Sequence, residues 1–504
     1  GCGAVMLAGI QGPDYAGQIF RTWLVRQAGY AVYDTAWYGG HVLLGYSLLF
    51  PILAAAVGTV TVGLLASVAS AVLAARLVRG TGLRRSFAGV AWFSVGIAGN
   101  FLVGRFTFAL GLAFGLAALL SLQHRRPWIA LVAALLCGAG SPLAGLFLLT
   151  VPAALAAARR WRSGLPLLGA TPGVLAAAVF GGGGRFPFLW TALLSVGALV
   201  GLGAAFSWRR WPVVRWWLLV YGAGALAAFV VPNAAGGNVA RLGALVGGPL
   251  AACLLADRRR YRLLGVLAAP LLIWQLVPVV GAWAGSSGDP SAKPTYYTGL
   301  LAYLGAQAAP AGADGSSGLR VEIPPTRDHW EATYVAEHVL LARGWERQLD
   351  YGYNAVVYDP HLTAAELHGW LVGDAVSYVA LPDAPLDPAA VPEAALLRAG
   401  DPWLRPVWHD RHWQVWKVLD PAPLVTGPAT MSALGPESFV LRFARAGGSV
   451  VRLHYTALWR VVSGVACTEP TTQGWTRVVA LQPGPVTIAA SLHIGAGTAC
   501  LLSP

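Results

Sequence analysis

The first 282 residues contain no glutamate and no lysine. They hold three aspartates, Asp14, Asp34 and Asp257, against 21 arginines, a net charge of +18. Charged residues make up 11% of the 504-residue chain, where a soluble protein carries about 25%. A shortage of that size excludes a surface that lies wholly in water. No basic stripe is interleaved with aromatics, so nucleic-acid binding lacks its usual footprint. There is no Walker loop, no dinucleotide glycine fingerprint, no His-Glu-x-x-His and no Gly-x-Ser-x-Gly at a strand-turn-helix junction. Nucleotide-driven transport and serine hydrolysis are therefore unsupported. The five cysteines show no metal-ligand spacing.

What is present is hydrocarbon. Apolar residues make up 56% of the chain, and its mean hydropathy is +0.59. Apolar runs cover 46–75, 86–101, 106–122, 127–141, 144–158, 165–180, 188–206, 214–231, 242–256 and 263–283. The chain also opens inside an apolar run, 1–10, which reads as the outer end of a truncated first span. The expectation is a polytopic α-helical membrane protein of about eleven spans.

The loops alternate in charge. One set carries Arg76, Arg79, Arg84, Arg85, then Arg125 and Arg126, then Arg159, Arg160 and Arg162. It continues with Arg209, Arg210 and Arg215, then Arg258, Arg259, Arg260 and Arg262. The other set carries only Arg21, Arg26, Arg105, Arg185 and Arg241. The positive-inside rule puts the first set in the cytoplasm. The long loop 11–45 and everything after about residue 284 then fall outside the cell membrane.

Residues 284–317 read as an exit linker. Residues 318–420 mix strands at 320–323, 376–381 and 413–419 with helices at 332–342, 363–371 and 392–399, an extracytoplasmic α/β unit. Residues 421–504 show β-rich runs at 438–444, 449–455, 476–481 and 485–492, as in a small β-sandwich. This second part carries 14 basic residues and 19 acids, a net charge of −5. Cys137 and Cys253 stand alone in apolar runs as packing residues. If the C-terminal part lies outside, Cys467 and Cys500 can pair.

An acid near the hydrocarbon is costly, so Asp14 and Asp34 in the first outer loop are functional candidates. Both could equally be solvated loop acids. Between them lies an amphipathic stretch, 19–28, which reads as a helix on the outer leaflet. His41 follows Asp34 and is a third candidate, although a lone His is more often structural. Asp14 and Asp34 would be the ligands of a divalent cation, Mg or Mn, if one is used. Arg105, Arg185 and Arg241 sit singly at outer span ends, against the topology rule. Such arginines can hold a lipid phosphate, or simply snorkel to headgroups. Trp37, Tyr38, His329, Trp330, Glu331, Trp345 and Glu346 are candidates for contact with a sugar. Residues 327–331 and 341–350 suit a buried ion-pair network at least as well.

The stretches from Pro13-Asp14-Tyr15 to Trp37-Tyr38-Gly39-Gly40-His41 and Tyr46-Ser47 resemble the first loop of the C-type (GT-C) membrane glycosyltransferase superfamily. Gly104-Arg105-Phe106, Ser141-Pro142-Leu143-Ala144-Gly145, and His329-Trp330-Glu331 with Arg343-Gly344-Trp345-Glu346-Arg347 look similar to other segments of such proteins. The nearest look-alikes are actinobacterial arabinofuranosyl- and mannosyltransferases. The resemblance implies a polyprenyl-phosphate-linked sugar as donor, a cell-envelope glycan or glycolipid as acceptor, and Asp14 as general base. Relatives often carry adjacent acids in an outer loop; this membrane part has none. A flippase for a lipid-linked glycan and a non-catalytic scaffold of envelope assembly are the alternatives. A transport path would need polar residues in mid-membrane, and the spans have almost none.

Overall fold

The computed structural model describes residues 12–83, 87–207, 211–308, 318–492 and 500. The apolar opening run and Arg84, Arg85, Arg209 and Arg210 lie outside these. The chain divides into two compact units. One comprises residues 1–18 and 44–288, the other residues 19–43 and 289–504.

The first unit is helical. Its helices follow the ten apolar runs in order from Phe50 to Ser286. Seven are long and apolar enough to cross a membrane: Thr59–Arg79, Phe106–Gln123, Trp161–Phe180, Trp190–Ser207, Pro212–Val230, Gly236–Asp257 and Tyr261–Ser286. Phe87–Leu102, Pro127–Gly140 and Pro142–Ala157 are equally apolar but shorter. Fourteen to sixteen residues rise about 21–24 Å, short of a hydrocarbon core of about 30 Å. The break between the last two is chemical. Ser141 is extended, its hydroxyl caps the Ala144 amide, and Pro142 follows at the first helical position. Many inward-facing side chains are small, with Ala118, Ala134, Cys137 and Ala170 fully buried, and Leu148, Leu167, Val196 and Leu245 fill the space between them. Small residues of this kind let helix backbones approach closely.

The second unit holds all three larger sheets. Strands Leu340–Leu341, Arg320–Glu322, Tyr378–Pro382, Trp413–Val418 and Leu404–His409 form one mixed five-stranded sheet in that order. Helices Ala364–Gly373 and Val391–Ala399 supply Leu367, Leu371, Ala394 and Leu397 to its core. Two antiparallel four-stranded sheets follow between Val425 and Ala490. Their alternating inward residues, Phe439, Leu441, Val451, Leu453, Val478, Val486 and Ile488, are buried. The C-terminal part is β-rich, as expected.

Two expectations about local structure fail. The 284–317 stretch is not a plain linker. Helix Tyr261–Ser286 runs into it, and short turns at Pro290–Ala292 and Pro294–Tyr297 lead to helix Thr298–Gln307. Tyr296 ties this segment to the sheet, accepting from Trp413 Nε1 at 3.0 Å and donating to Asp383 at 2.6 Å. The helix expected at 332–342 is one turn, Glu331–Tyr334, followed by the strand Leu340–Leu341. Sheet pairing overrides helical periodicity there, through Leu340 N to Leu319 O and Ala342 N to Val321 O.

The first loop belongs to this second unit. Tyr33–Asp34 and His41–Val42 form a two-stranded ribbon. Between them Tyr38, Gly39 and Gly40 all take positive φ, 58°, 70° and 95°. A Cβ on Gly40 would sit 2.1 Å from the Tyr33 hydroxyl, so the turn requires glycine there. The ribbon bonds to both C-terminal parts. Ala36 O accepts from Leu341 N at 2.8 Å, closing the exposed edge of the five-stranded sheet. Gly39 O accepts from His454 N at 2.7 Å, and Thr35 N donates to Pro436 O at 2.9 Å.

A disulfide joins Cys467 to Cys500. It closes a loop with a sequence separation of 33. The chain-entropy relation makes such a loop worth about 3–4 kcal/mol. Cys467→Ser should therefore lower the unfolding free energy of the β-sandwich by up to that amount. Denaturant titration of the non-reduced protein beside the variant measures it.

Candidate functional site

In the helical unit, Asp14 lies where residues 12–15 lie across the turn 102–105. Asp14 N donates to Val103 O at 3.2 Å. Gly104 makes the approach possible. Its φ is +76°, and a Cβ there would stand 3.0 Å from Tyr15 N. Gln18 clamps the two strands of chain together, its Nε2 donating to Asp14 O at 2.7 Å and to Gly104 O at 2.5 Å.

Two of the three single arginines converge on the Asp14 carboxylate. Arg105 Nε donates to Asp14 Oδ2 at 3.2 Å, and Arg241 Nη1 stands 3.8 Å from the same oxygen. Arg105 immediately precedes helix Phe106–Gln123, and Arg241 is the second residue of helix Ala240–Asp257. Both helix N-termini add positive potential to the two guanidiniums. The three side chains carry one net positive charge. They keep 29%, 18% and 27% of their surface for Asp14, Arg105 and Arg241, so the cluster is not sealed. Such a place suits a bound anion. It does not suit a divalent cation, because two guanidiniums already face the one carboxylate. Among the described residues no group of three or more His, Cys, Asp or Glu is placed to hold a metal ion.

Asn100 completes the cluster and was not foreseen. Its Oδ1 accepts from Arg105 Nη1 at 3.2 Å, and its Nδ2 donates to Gly96 O at 3.2 Å. A lone amide in the apolar run 86–101 was the available signal, since a polar group there must find a partner. Tyr46 also lies in this unit, bonded to Thr107 Oγ1 at 3.1 Å. Arg185 is exposed between helices Thr171–Phe180 and Trp190–Ser207 and does not share the Asp14 carboxylate.

Asp34 and His41 belong to the other unit, as direct neighbours in the ribbon register. Both are fully buried, with His41 Nδ1 3.7 Å from Asp34 Oδ2. Trp37 stacks on the His41 ring at 5.8 Å and Tyr38 meets it edge-on at 5.3 Å. Burial pushes the Asp34 carboxyl up to about 7, against the pull of the Ala36 amide and the Arg21 charge. Burial also holds His41 well below its ordinary value, with Arg21 and His454 acting the same way. A pair without solvent contact is placed to hold the ribbon, not to meet a substrate.

The residues considered for sugar contact are mostly interior. Trp37, Tyr38 and Trp330 have no exposed surface, and Glu331 and Glu346 have little. Trp37 Nε1 donates to Ala332 O, Tyr38 OH bonds the Glu346 backbone, and Glu346 takes an ion pair from Arg21 at 2.9 Å. Trp345 alone among the tryptophans of this group is half-buried. His329 stands 3.4 Å from Asp387 and 3.8 Å from Glu331. Arg343 meets Asp350 at 2.8 Å, Glu393 at 3.2 Å and Glu322 at 3.9 Å, all buried. Burial and repulsion from Glu393 drive the Glu322 carboxyl well up, and burial with the nearby Asp350 charge raises that of Glu393 to about 7 against the pull of Arg343. One arginine cannot neutralise three buried carboxylates, so this pair retains a proton. The ion pairs of the 327–331 and 341–350 clusters are thus buried among residues of the second unit.

No family model matches the chain, and no curated protein matches it either.

The Asp34 shift has a signed consequence. A carboxyl raised from 3.8 to about 7 keeps its proton in the folded state, so its stability contribution is full below about pH 4. That contribution is lost as pH rises through about 7. Asp34→Asn keeps an acceptor for Ala36 N and has no proton to lose. Its thermal midpoint should gain on the parent between pH 4 and 7 and stay level above that. Parallel melts at pH 4.5, 6 and 8 test it.

Proposed function

We propose that the chain is a membrane glycosyltransferase that moves a sugar from a polyprenyl-phosphate donor to a glycan or glycolipid hydroxyl on the outer face of the cell membrane. The carrying observation is the convergence of Asp14, Arg105 and Arg241. An acid at one end of the helical unit sits beside two arginines able to hold a phosphate.

The chemistry follows from charge. The acceptor oxygen attacks the anomeric carbon, and the bond from that carbon to the phosphate oxygen breaks. Asp14 takes the hydroxyl proton, and the polyprenyl phosphate leaves with the bonding electron pair. Arg105 and Arg241 stabilise the leaving dianion by charge-assisted hydrogen bonds. In the free protein the same guanidiniums engage Asp14. An incoming phosphate competes for them and frees the carboxylate to meet the acceptor hydroxyl. Asn100 fixes one of the two arginines for that exchange. No divalent cation is needed in this scheme.

Sidedness is supported by chain parity. Residues 32–43 and the segment after 289 are hydrogen-bonded within one unit, so both lie on one side of a membrane. The chain between them must then cross an even number of times. Seven crossings cannot satisfy this; the full set of ten helices can. The short helices are therefore read as crossings too, and the Arg-rich loops as cytoplasmic. A disulfide in the C-terminal part agrees with an oxidising compartment.

Reconstitution with a polyprenyl-phosphoryl sugar tests the chemistry. Asp14→Asn should lose about 10²–10⁴-fold in kcat, the usual worth of a general base. Arg241→Gln should lower kcat/KM for the donor about 10–100-fold, as expected for charged hydrogen bonds. Full activity in Asp14→Asn removes the central claim. Topology is tested separately with an impermeant maleimide on intact cells. Gln27→Cys and Gln473→Cys should both label, and Arg159→Cys only after permeabilisation. Opposite behaviour of the first two breaks the parity argument.

A further inference from the structure

The helical unit contains a cavity of about 340 Å³ that the Asp14 cluster does not use. Seven helices contribute to its wall. Most of the lining comes from the ends that carry the Arg-rich loops. Ala74, Leu77 and Val78 belong to the last two turns of Thr59–Arg79, with Thr81 and Leu83 just beyond. Gly89, Val90 and Phe93 belong to the first two turns of Phe87–Leu102. Trp211, Val214 and Trp217 open Pro212–Val230, and Pro249 to Leu254 close Ala240–Asp257. Arg105 and Arg241 stand at the opposite ends of their own helices.

The lining is hydrocarbon. The polar atoms it offers are the Thr81 hydroxyl, the indole nitrogens of Trp211 and Trp217 and the Cys253 thiol at one end, with the Cys137 thiol deeper in. Trp217 Nε1 is already bonded to Thr150. Water in such a space would lack the two to four partners it needs. Along Ala240–Asp257 the wall runs from Leu242 to Leu254, about 18 Å of helix axis. One leaflet of hydrocarbon is about 15 Å deep, half of a core of about 30 Å. Length and chemistry therefore match one lipid chain lying along the helices.

The open end also has a charge. Arg76 and Arg79 are exposed beside Thr81 and Leu83, and Arg215 follows Val214 with its guanidinium over the Trp216 ring. Asp257 is the one acid of the described residues in this unit at that end. Clustered arginines beside a membrane attract anionic headgroups.

We infer that this cavity is a seat for one anionic phospholipid from the Arg-side leaflet, its chain among Leu77, Leu116, Val246 and Leu250 and its headgroup by Arg79 and Arg215. The site is separate from the donor site proposed above, and it draws its ligand from the other leaflet. The bound chain fills space between helices that otherwise lack side chains to meet across it. The bundle's stability then depends on the lipid by mass action.

The full chain in nanodiscs tests this, with phosphatidylglycerol bearing a diazirine in its acyl chain as probe. Labelling should concentrate on peptides containing residues 77–83 and 249–254. Unlabelled phosphatidylglycerol should compete at least tenfold better than phosphatidylcholine. Val246→Trp, which fills the slot, should reduce labelling about tenfold. Arg79→Gln, an exposed change that spares packing, should reduce the preference for the anionic lipid about threefold. Equal labelling of the lipid-exposed helix Tyr261–Ser286 overturns the seat, and so does full labelling in folded Val246→Trp. Equal competition by the two lipids, or an unchanged preference in Arg79→Gln, overturns the headgroup assignment.

Discussion

The backbone hydrogen bonds of residues 32–39 constrain everything else in this molecule. A segment from near the start of the chain supplies an edge to a sheet whose other strands begin near residue 320. Unpaired, the edge strand Leu340–Leu341 would present open amides, and Asp34, His41 and Tyr38 would lose their burial. Because the bonds run through main-chain atoms, side-chain substitution changes them little. What protects them is the exclusion of water by Trp37, Tyr33 and Phe20, each buried to 1% exposure or less.

That constraint separates two kinds of polar site. In the ribbon and in the Arg343 network, ionisable groups are sealed and fully surrounded. They cost desolvation and give back specificity of assembly. Around Asp14 the charges remain partly open, and one positive charge is in excess. The first kind is spent on holding a shape; the second is free to meet a ligand. Burial, more than residue type, distinguishes them here.

Much of this was readable in the chain and some was not. Hydropathy is a one-dimensional signal, so the ten helical runs and their order could be read directly. Asp14, Arg105 and Arg241 were conspicuous because each broke a rule for its location. The strands at 413–418 and 438–443 followed from alternation. The role of 32–43 was hidden, since aromatic residues at 30–38 signal a membrane interface as readily as a domain interior. Trp37 and Tyr38 look alike in either setting until a partner about 300 residues away is known. The 332–342 helix failed for the same reason, since its local preference yielded to a distant pairing. Asn100 carries no charge, and its amide can be satisfied by its own helix, so the apolar run 86–101 gives little sign of its pairing with Arg105.

A bond between residue 36 and residue 341 also has a timetable. The ribbon is made before any of its partners exist. At about 5–20 residues per second, the 432 residues from 43 to 475 take roughly 20–90 s to synthesise. Until residues 332–341 and then 436–475 are made, the ribbon lacks the neighbours that bury it in the folded unit. The finished domain is thus a report on the whole chain: its first-made strands wait for its last-made ones.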